Sequence, residues 1–160
     1  VKALREEGMH ACCWTGGYDV PPTTILASGR DDILFVEEVV GIGEIAIADR
    51  RATDPAPHEL ARIVTDARVG GLLARKAGVT HVHVGDRERR LAVLRAALDD
   101  HDVDPAALYV THVDRSEALQ DEAIALVRRG ATADLDTVNE ELARWVLRWR
   151  DAGGDMTRLT

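Results

Sequence analysis

Positive charge is the minority in this chain: Lys and Arg number 20 against 28 Asp and Glu, a net charge of −8. A surface built for nucleic acid or an anionic membrane needs the opposite excess, so neither is an expected partner. No apolar run approaches the roughly 20 residues of a membrane-spanning helix. Cysteine is almost missing. Cys12 and Cys13 are adjacent in a stretch that reads as a strand, and adjacent strand residues point to opposite faces. That argues against joint ligation of one metal and against a disulfide between them. Buried, reduced thiols of a cytoplasmic protein are the expectation. A charged-then-apolar secretory leader is lacking too, as is an initiator Met. Residues 1–8 read as the last turns of a helix stopped by Gly8, and residues 156–160 as a strand beginning. The expectation is an internal piece of a longer protein, with residues 1–160 forming part of one domain cut at both ends.

What is present is a regular alternation. With 46% hydrophobic and 30% charged residues, 160 positions suffice for one domain with a sizeable core. Short apolar runs predict strands over 9–14, 44–48, 80–84, 108–111 and 131–135. Gly and Pro make 15–22 a loop. Helical spacing of apolar residues predicts helices over 31–40, 58–75, 87–100, 116–129 and 139–151. Leu60, Ile63, Val64, Ala67 and the Leu72-Leu73 pair would form the buried stripe of the second, and Leu142, Trp145, Val146 and Trp149 that of the last. Asp86 and Ser116 are candidate helix caps. Strands alternating with helices imply an α/β fold with a parallel sheet, either an open doubly wound sheet or a (β/α)8 barrel. Gly41-Ile42-Gly43 is no dinucleotide loop, because it precedes a strand and lacks the third glycine.

The strand ends carry the chemistry. His83 and His112 fall at the C-terminal ends of successive strand patterns, and strands joined by a helix lie parallel and adjacent. Their imidazoles can therefore reach one metal ion. Glu44 starts a buried apolar strand, where a carboxylate is costly without a cation or a donor. Metals such as Zn²⁺ accept imidazole and carboxylate together. Arg51 and Arg115 follow two of these strands and could bind carboxylates in two-pronged fashion. Tyr18, in the Gly-rich loop, could hydrogen-bond a reacting carbonyl. Each has a plain alternative. Glu44 could pair with an arginine, the histidines could be hydrogen-bonded structural residues, the arginines could lie at the surface, and Tyr18 could pack on the rim. His81, two residues deeper on the His83 face, reads as a core residue or a support for the ligands.

Thr15-Gly16-Gly17-Tyr18-Asp19-Val20-Pro21 resembles the loop carrying the active-site tyrosine of the isoaspartyl (β-aspartyl) dipeptidases of the amidohydrolase superfamily. Similar runs follow in order: residues 43–51, 68–73, 83–86 and 111–115. The resemblance spans nearly the whole chain. It implies part of a (β/α)8 barrel, roughly strands three to seven, with two zinc ions in the complete enzyme. It also implies hydrolysis of β-aspartyl dipeptides by a metal-activated water, and a homo-oligomer at full length. Carried over residue by residue, it makes His83 and His112 metal ligands. Tyr18 becomes the residue that polarises the scissile carbonyl, and Arg51 and Arg115 bind the substrate's carboxylates. Glu44 falls where the family has a carboxylated lysine bridging the metals. It brings its own carboxylate on a shorter side chain. The family's His-x-His pair and its final-strand aspartate have no counterpart in these residues. Two other readings stay open: a dihydroorotase-like or N-acyl-amino-acid hydrolase, and a non-catalytic α/β domain.

Overall fold

The computed structural model describes residues 1–138 and 140–160. Five strands, β1 (Cys13–Thr15), β2 (Val39–Ile47), β3 (Val79–Val84), β4 (Leu108–Thr111) and β5 (Thr132–Ala133), form one sheet in chain order. Every neighbouring pair is parallel. Helices α1 (Lys2–Glu6), α2 (Gly29–Phe35), α3 (Pro57–Ala74), α4 (Ala92–His101), α5 (Glu117–Arg128) and α6 (Leu142–Asp151) alternate with them. Leu159, after a 3₁₀ turn at Met156–Arg158, bridges Ala133 in the same parallel sense. The strand order with no reversal is that of a partial (β/α)8 barrel rather than a doubly wound sheet, whose order reverses. All strands thus point their C-terminal ends at one rim.

The core explains the order. Ile42, Ile45 and Ile47 of β2 and Val82 and Val84 of β3 are fully buried against Leu60 and Val64 of α3 and Leu94 of α4. A strand covered on both faces reads as a continuous apolar run, which is what β2 and β3 show. Each such isoleucine or leucine contributes about 1.5–3 kcal/mol by leaving water. Gly43 allows β2 to approach β3, since a Cβ there would sit 2.6 Å from the His81 carbonyl oxygen.

Several boundaries differ from expectation. The helix predicted over 31–40 is α2, which ends at Phe35; Val39 and Val40 already belong to β2. Glu44 therefore lies inside a nine-residue strand instead of starting one. The first strand is Cys13–Thr15, so Cys12 lies outside it and is exposed, and Cys13 is only half-buried. The buried-thiol expectation fails: Cys12 meets the Arg5 side chain at the surface, and Cys13 packs against the edge of the core. Leu72 and Leu73 are exposed at 61% and 64%, since the inward stripe of α3 runs through Gly70, Gly71 and Ala74 and these two lie off it. Residues 86–91 form turns, and α4 starts at Ala92 with no side-chain cap; Asp86 pairs with Arg50 instead. β5 is shorter than 131–135. Ser116 caps α5 as expected, accepting from the Leu119 N–H. α6 runs over Leu142–Asp151 with Trp145 and Trp149 buried, and the expected start at Asn139 lies outside the described residues.

Candidate metal and substrate site

Glu44, His83 and His112 converge. Each offers one ligand atom, and these atoms lie within 4.8 Å of one another. Glu44 comes from β2, His83 stands just inside the end of β3, and His112 is the first residue past β4. The register pairs Ala46 with His83 and His83 with Thr111, so neighbouring strands deliver the three side chains to one level of the rim. His112 has φ 66°, a left-handed conformation that turns the chain off the strand. Histidine enters that region more readily than β-branched or bulky residues do.

Both ring nitrogens of His83 face carboxylates. Nε2 lies 2.9 Å from Asp49 Oδ2 and Nδ1 lies 3.2 Å from Glu44 Oε2. A neutral imidazole donates from one nitrogen only. The shorter contact, to the buried Asp49, takes the proton, with Arg51 Nη2, 3.0 Å from the same nitrogen, donating to Asp49 instead, and the lone pair of Nδ1 is then left facing Glu44. The Tyr18 hydroxyl, 3.0 Å from Nδ1, donates to it. Burial makes the His83 ring harder to protonate, against the raising effect of Asp49. The Nδ1 lone pair and the Glu44 carboxylate stand side by side, so both could turn to one metal ion in place of the Tyr18 hydrogen bond. The donor set therefore fits a borderline metal.

Arg51 grips Asp49 with two bonds, Nε to Oδ1 at 2.9 Å and Nη2 to Oδ2 at 2.8 Å. The Asp49 carboxyl is held well below the usual range, by the Arg51 side chain first and then, against the cost of burial, by the Arg51 N–H and His83. The guanidinium carbon also lies 5.2 Å from the Tyr18 ring centre. Burial and the Glu44 charge push the Tyr18 hydroxyl up, so it stays a donor at neutral pH. Arg115 is exposed just past the end of β4, beside a pocket of about 180 Å³ lined by Gly85, Asp86, Arg87 and Ser116. Among the described residues it has no hydrogen-bond or ion-pair partner, and its charge acts on Tyr18. His81 is buried between Trp14 and Tyr109, its Nδ1 4.0 Å from Glu44 Oε1.

The structure also brings in residues that sequence reasoning missed. Asp49 and Asp136 hold ring nitrogens of His83 and His112 respectively. Asp32, fully buried, accepts from the Thr15 hydroxyl and from the Ile25 and Leu26 N–H groups, tying down the loop that carries Tyr18. The available signal was modest: Asp49 and Asp136 each follow a strand end, and an aspartate early in a helix reads as a surface residue.

No family model matches the chain. By fold, it is part of a (β/α)8 barrel with metal-ligand residue types at the C-terminal ends of its strands. Two solved structures match 99% of it. One is a β-aspartyl dipeptidase from the thermophilic keratin-degrading Fervidobacterium islandicum AW-1 in complex with β-Asp-Leu dipeptide, at 34% identity and TM-score 0.92. The other is a β-aspartyl dipeptidase from the same organism, at 34% identity and TM-score 0.91. The resemblance to the β-aspartyl dipeptidases read from the sequence thus holds in three dimensions across nearly all of this chain. The chain spans 43% and 44% of the length of those proteins. No described helix is long and apolar enough to cross a membrane.

Proposed function

We propose that this chain supplies part of the active site of a metal-dependent hydrolase that cleaves β-aspartyl dipeptides. The observation that carries the reading is the convergence of Glu44, His83 and His112 at the strand ends, with Tyr18 and Arg51 beside them. Glu44, His83 and His112 would hold the metal, which we take to be zinc. The family resemblance points to two ions in the complete enzyme, a homo-oligomer and a cytoplasmic setting. When bound, such an ion makes water a nucleophile near neutral pH and polarises a carbonyl.

The chain's own residues do the rest by position. Metal binding at His83 would use the Nδ1 lone pair, and the Tyr18 hydroxyl then loses its acceptor there. It becomes available to donate to the oxygen of the scissile side-chain amide as charge develops on it. Arg115, exposed and with no hydrogen-bond or ion-pair partner among the described residues, would bind a substrate carboxylate in two-pronged fashion. Arg51 spends Nε and Nη2 on Asp49, so only its Nη1 would be left for a substrate anion, held in orientation before substrate arrives. The leaving amine would need a proton from a general acid, a role not assigned to any of these residues.

The test is a substrate panel on the full-length zinc-loaded protein. Hydrolysis of β-Asp-Leu with little action on α-Asp-Leu or cyclic amides is the expected result. Preference for dihydroorotate or another cyclic amide would move the assignment to a different amidohydrolase. Absence of zinc uptake would favour the non-catalytic reading.

A further inference from the structure

We propose that Asp136 is a positioning residue. It holds His112 in the tautomer that carries its proton on Nδ1, so that Nε2 presents a lone pair to the metal. The inference rests on the proposed ligand role of His112 and adds to it a residue that the ligand set does not include.

His112 Nδ1 lies 2.5 Å from Asp136 Oδ1. The carboxylate can only accept, so Nδ1 donates, and a neutral ring protonated there must carry its lone pair on Nε2. No hydrogen bond among the described residues uses His112 Nε2. Free neutral histidine favours the other tautomer, with the proton on Nε2, and in that form Nε2 has no lone pair to offer a metal. Only a strong acceptor at Nδ1 reverses the preference, and an ionised carboxylate is such an acceptor.

The acceptor is itself fixed. Asp136 donates its backbone N–H to Oδ1 of Asp114, a 4%-exposed residue just past β4, at 3.4 Å. The two residues before it are tied down: the Leu135 N–H donates to the Thr160 carbonyl, and the Val113 N–H to that of Asp134. The segment after β5 is thus braced against the end of β4, where His112 sits in its left-handed conformation. His81 makes the contrast. It is a buried strand histidine whose Nδ1 has no hydrogen-bond partner, and it is not among the converging ligands. A hydrogen-bonded carboxylate is not something every histidine in this sheet receives: Glu44 comes no nearer than 4.0 Å to His81 Nδ1.

The experiment uses the full-length protein with ¹⁵N-labelled histidine, as wild type, Asp136→Asn and Asp136→Ala. Long-range ¹H–¹⁵N spectra of the metal-free protein at alkaline pH read the His112 tautomer directly. Competition with a chromophoric chelator reads zinc affinity. The wild type should show the Nδ1–H form. Asp136→Ala should shift His112 toward Nε2–H and weaken zinc binding about 10–100-fold. Asp136→Asn, whose neutral amide is a weaker acceptor than a carboxylate, should shift the tautomer and the affinity part of the way, and an unchanged ring and affinity in it overturn the proposal if the alanine variant does not fold. An Nε2–H ring in the wild type overturns the proposal. So does an alanine variant that binds zinc as tightly as wild type. In that second case the metal site stands and only the role of Asp136 falls. Failure of the wild type to bind zinc removes the site itself, and Asp136 with it, whatever the tautomer.

Discussion

Glu44 Oε2 lies 3.2 Å from His83 Nδ1, across the seam between two parallel strands. A carboxylate supplied directly by the chain occupies the place beside the strand-end imidazoles. Glu44→Gln keeps the size and removes the charge. It should lower zinc affinity about 10-fold or more, with His112→Ala lowering bound zinc as well, because each removes one of few ligands. Metal content after dialysis against a chelator measures this. A fully loaded Glu44→Gln protein of wild-type affinity would take Glu44 out of the site.

Arg115 and Arg51 predict different kinetics. Arg115→Met should raise KM for β-Asp-Leu about 10-fold or more with zinc content unchanged, since it removes a charged contact worth about 1.5–3 kcal/mol. Arg51→Met should also disturb His83 through Asp49, to which both side chains bond. It should therefore reduce kcat and zinc affinity together. Steady-state kinetics beside metal analysis separates the two, and unchanged kinetics in Arg115→Met would place that residue outside the site.

Asp32 predicts a stability effect away from the ligands. Asp32→Ala leaves the Ile25 and Leu26 N–H groups and the Thr15 hydroxyl without their acceptor. The cost should be about 2 kcal/mol or more. Urea denaturation gives the loss, and proteolysis should open first within residues 16–28. A variant as stable as wild type would show that the loop is held by other means.

Glu122 predicts an acid limb. Its burial raises the carboxyl's proton affinity, but hydrogen bonds from Arg90 and Arg95 outweigh that and hold the pKa below its ordinary value. A carboxyl depressed in the folded state stabilises it above the unfolded pKa, about 4.3. That contribution is lost as pH falls through the lower folded value. Thermal unfolding from pH 7 to pH 3 should show Glu122→Gln less stable than wild type at neutral pH, with the gap closing toward acid. A constant gap would mean that packing, and not charge, is what the substitution removes.

Sequence alone revealed the pieces whose pattern is local. β3 and β4 are short apolar runs with a histidine at each end, and α5 announces itself through Ser116 and its apolar face. Reading the parallel neighbours from the helix between them was enough to bring His83 and His112 together. The α2–β2 junction was illegible because Val39 and Val40 extend the helical spacing that begins at Asp31. Only tertiary pairing with β1 and β3 makes them strand. Leu72 and Leu73 look like core, yet their faces of α3 point away from the sheet. Asp49 and Asp136 were invisible as partners of the histidines because each contact is set by how a loop folds back after its strand. No spacing records that.

The candidate ligands come from β2, β3 and the residue just past β4, in strict succession, with about 30 to 40 residues between one ligand and the next. No two of them are held together by local chain geometry. A partly assembled chain that has paired only β2 with β3 can present Glu44 and His83 alone. Tight ion capture then awaits the docking of β4, so zinc uptake during refolding would act as a clock for the last of these pairings.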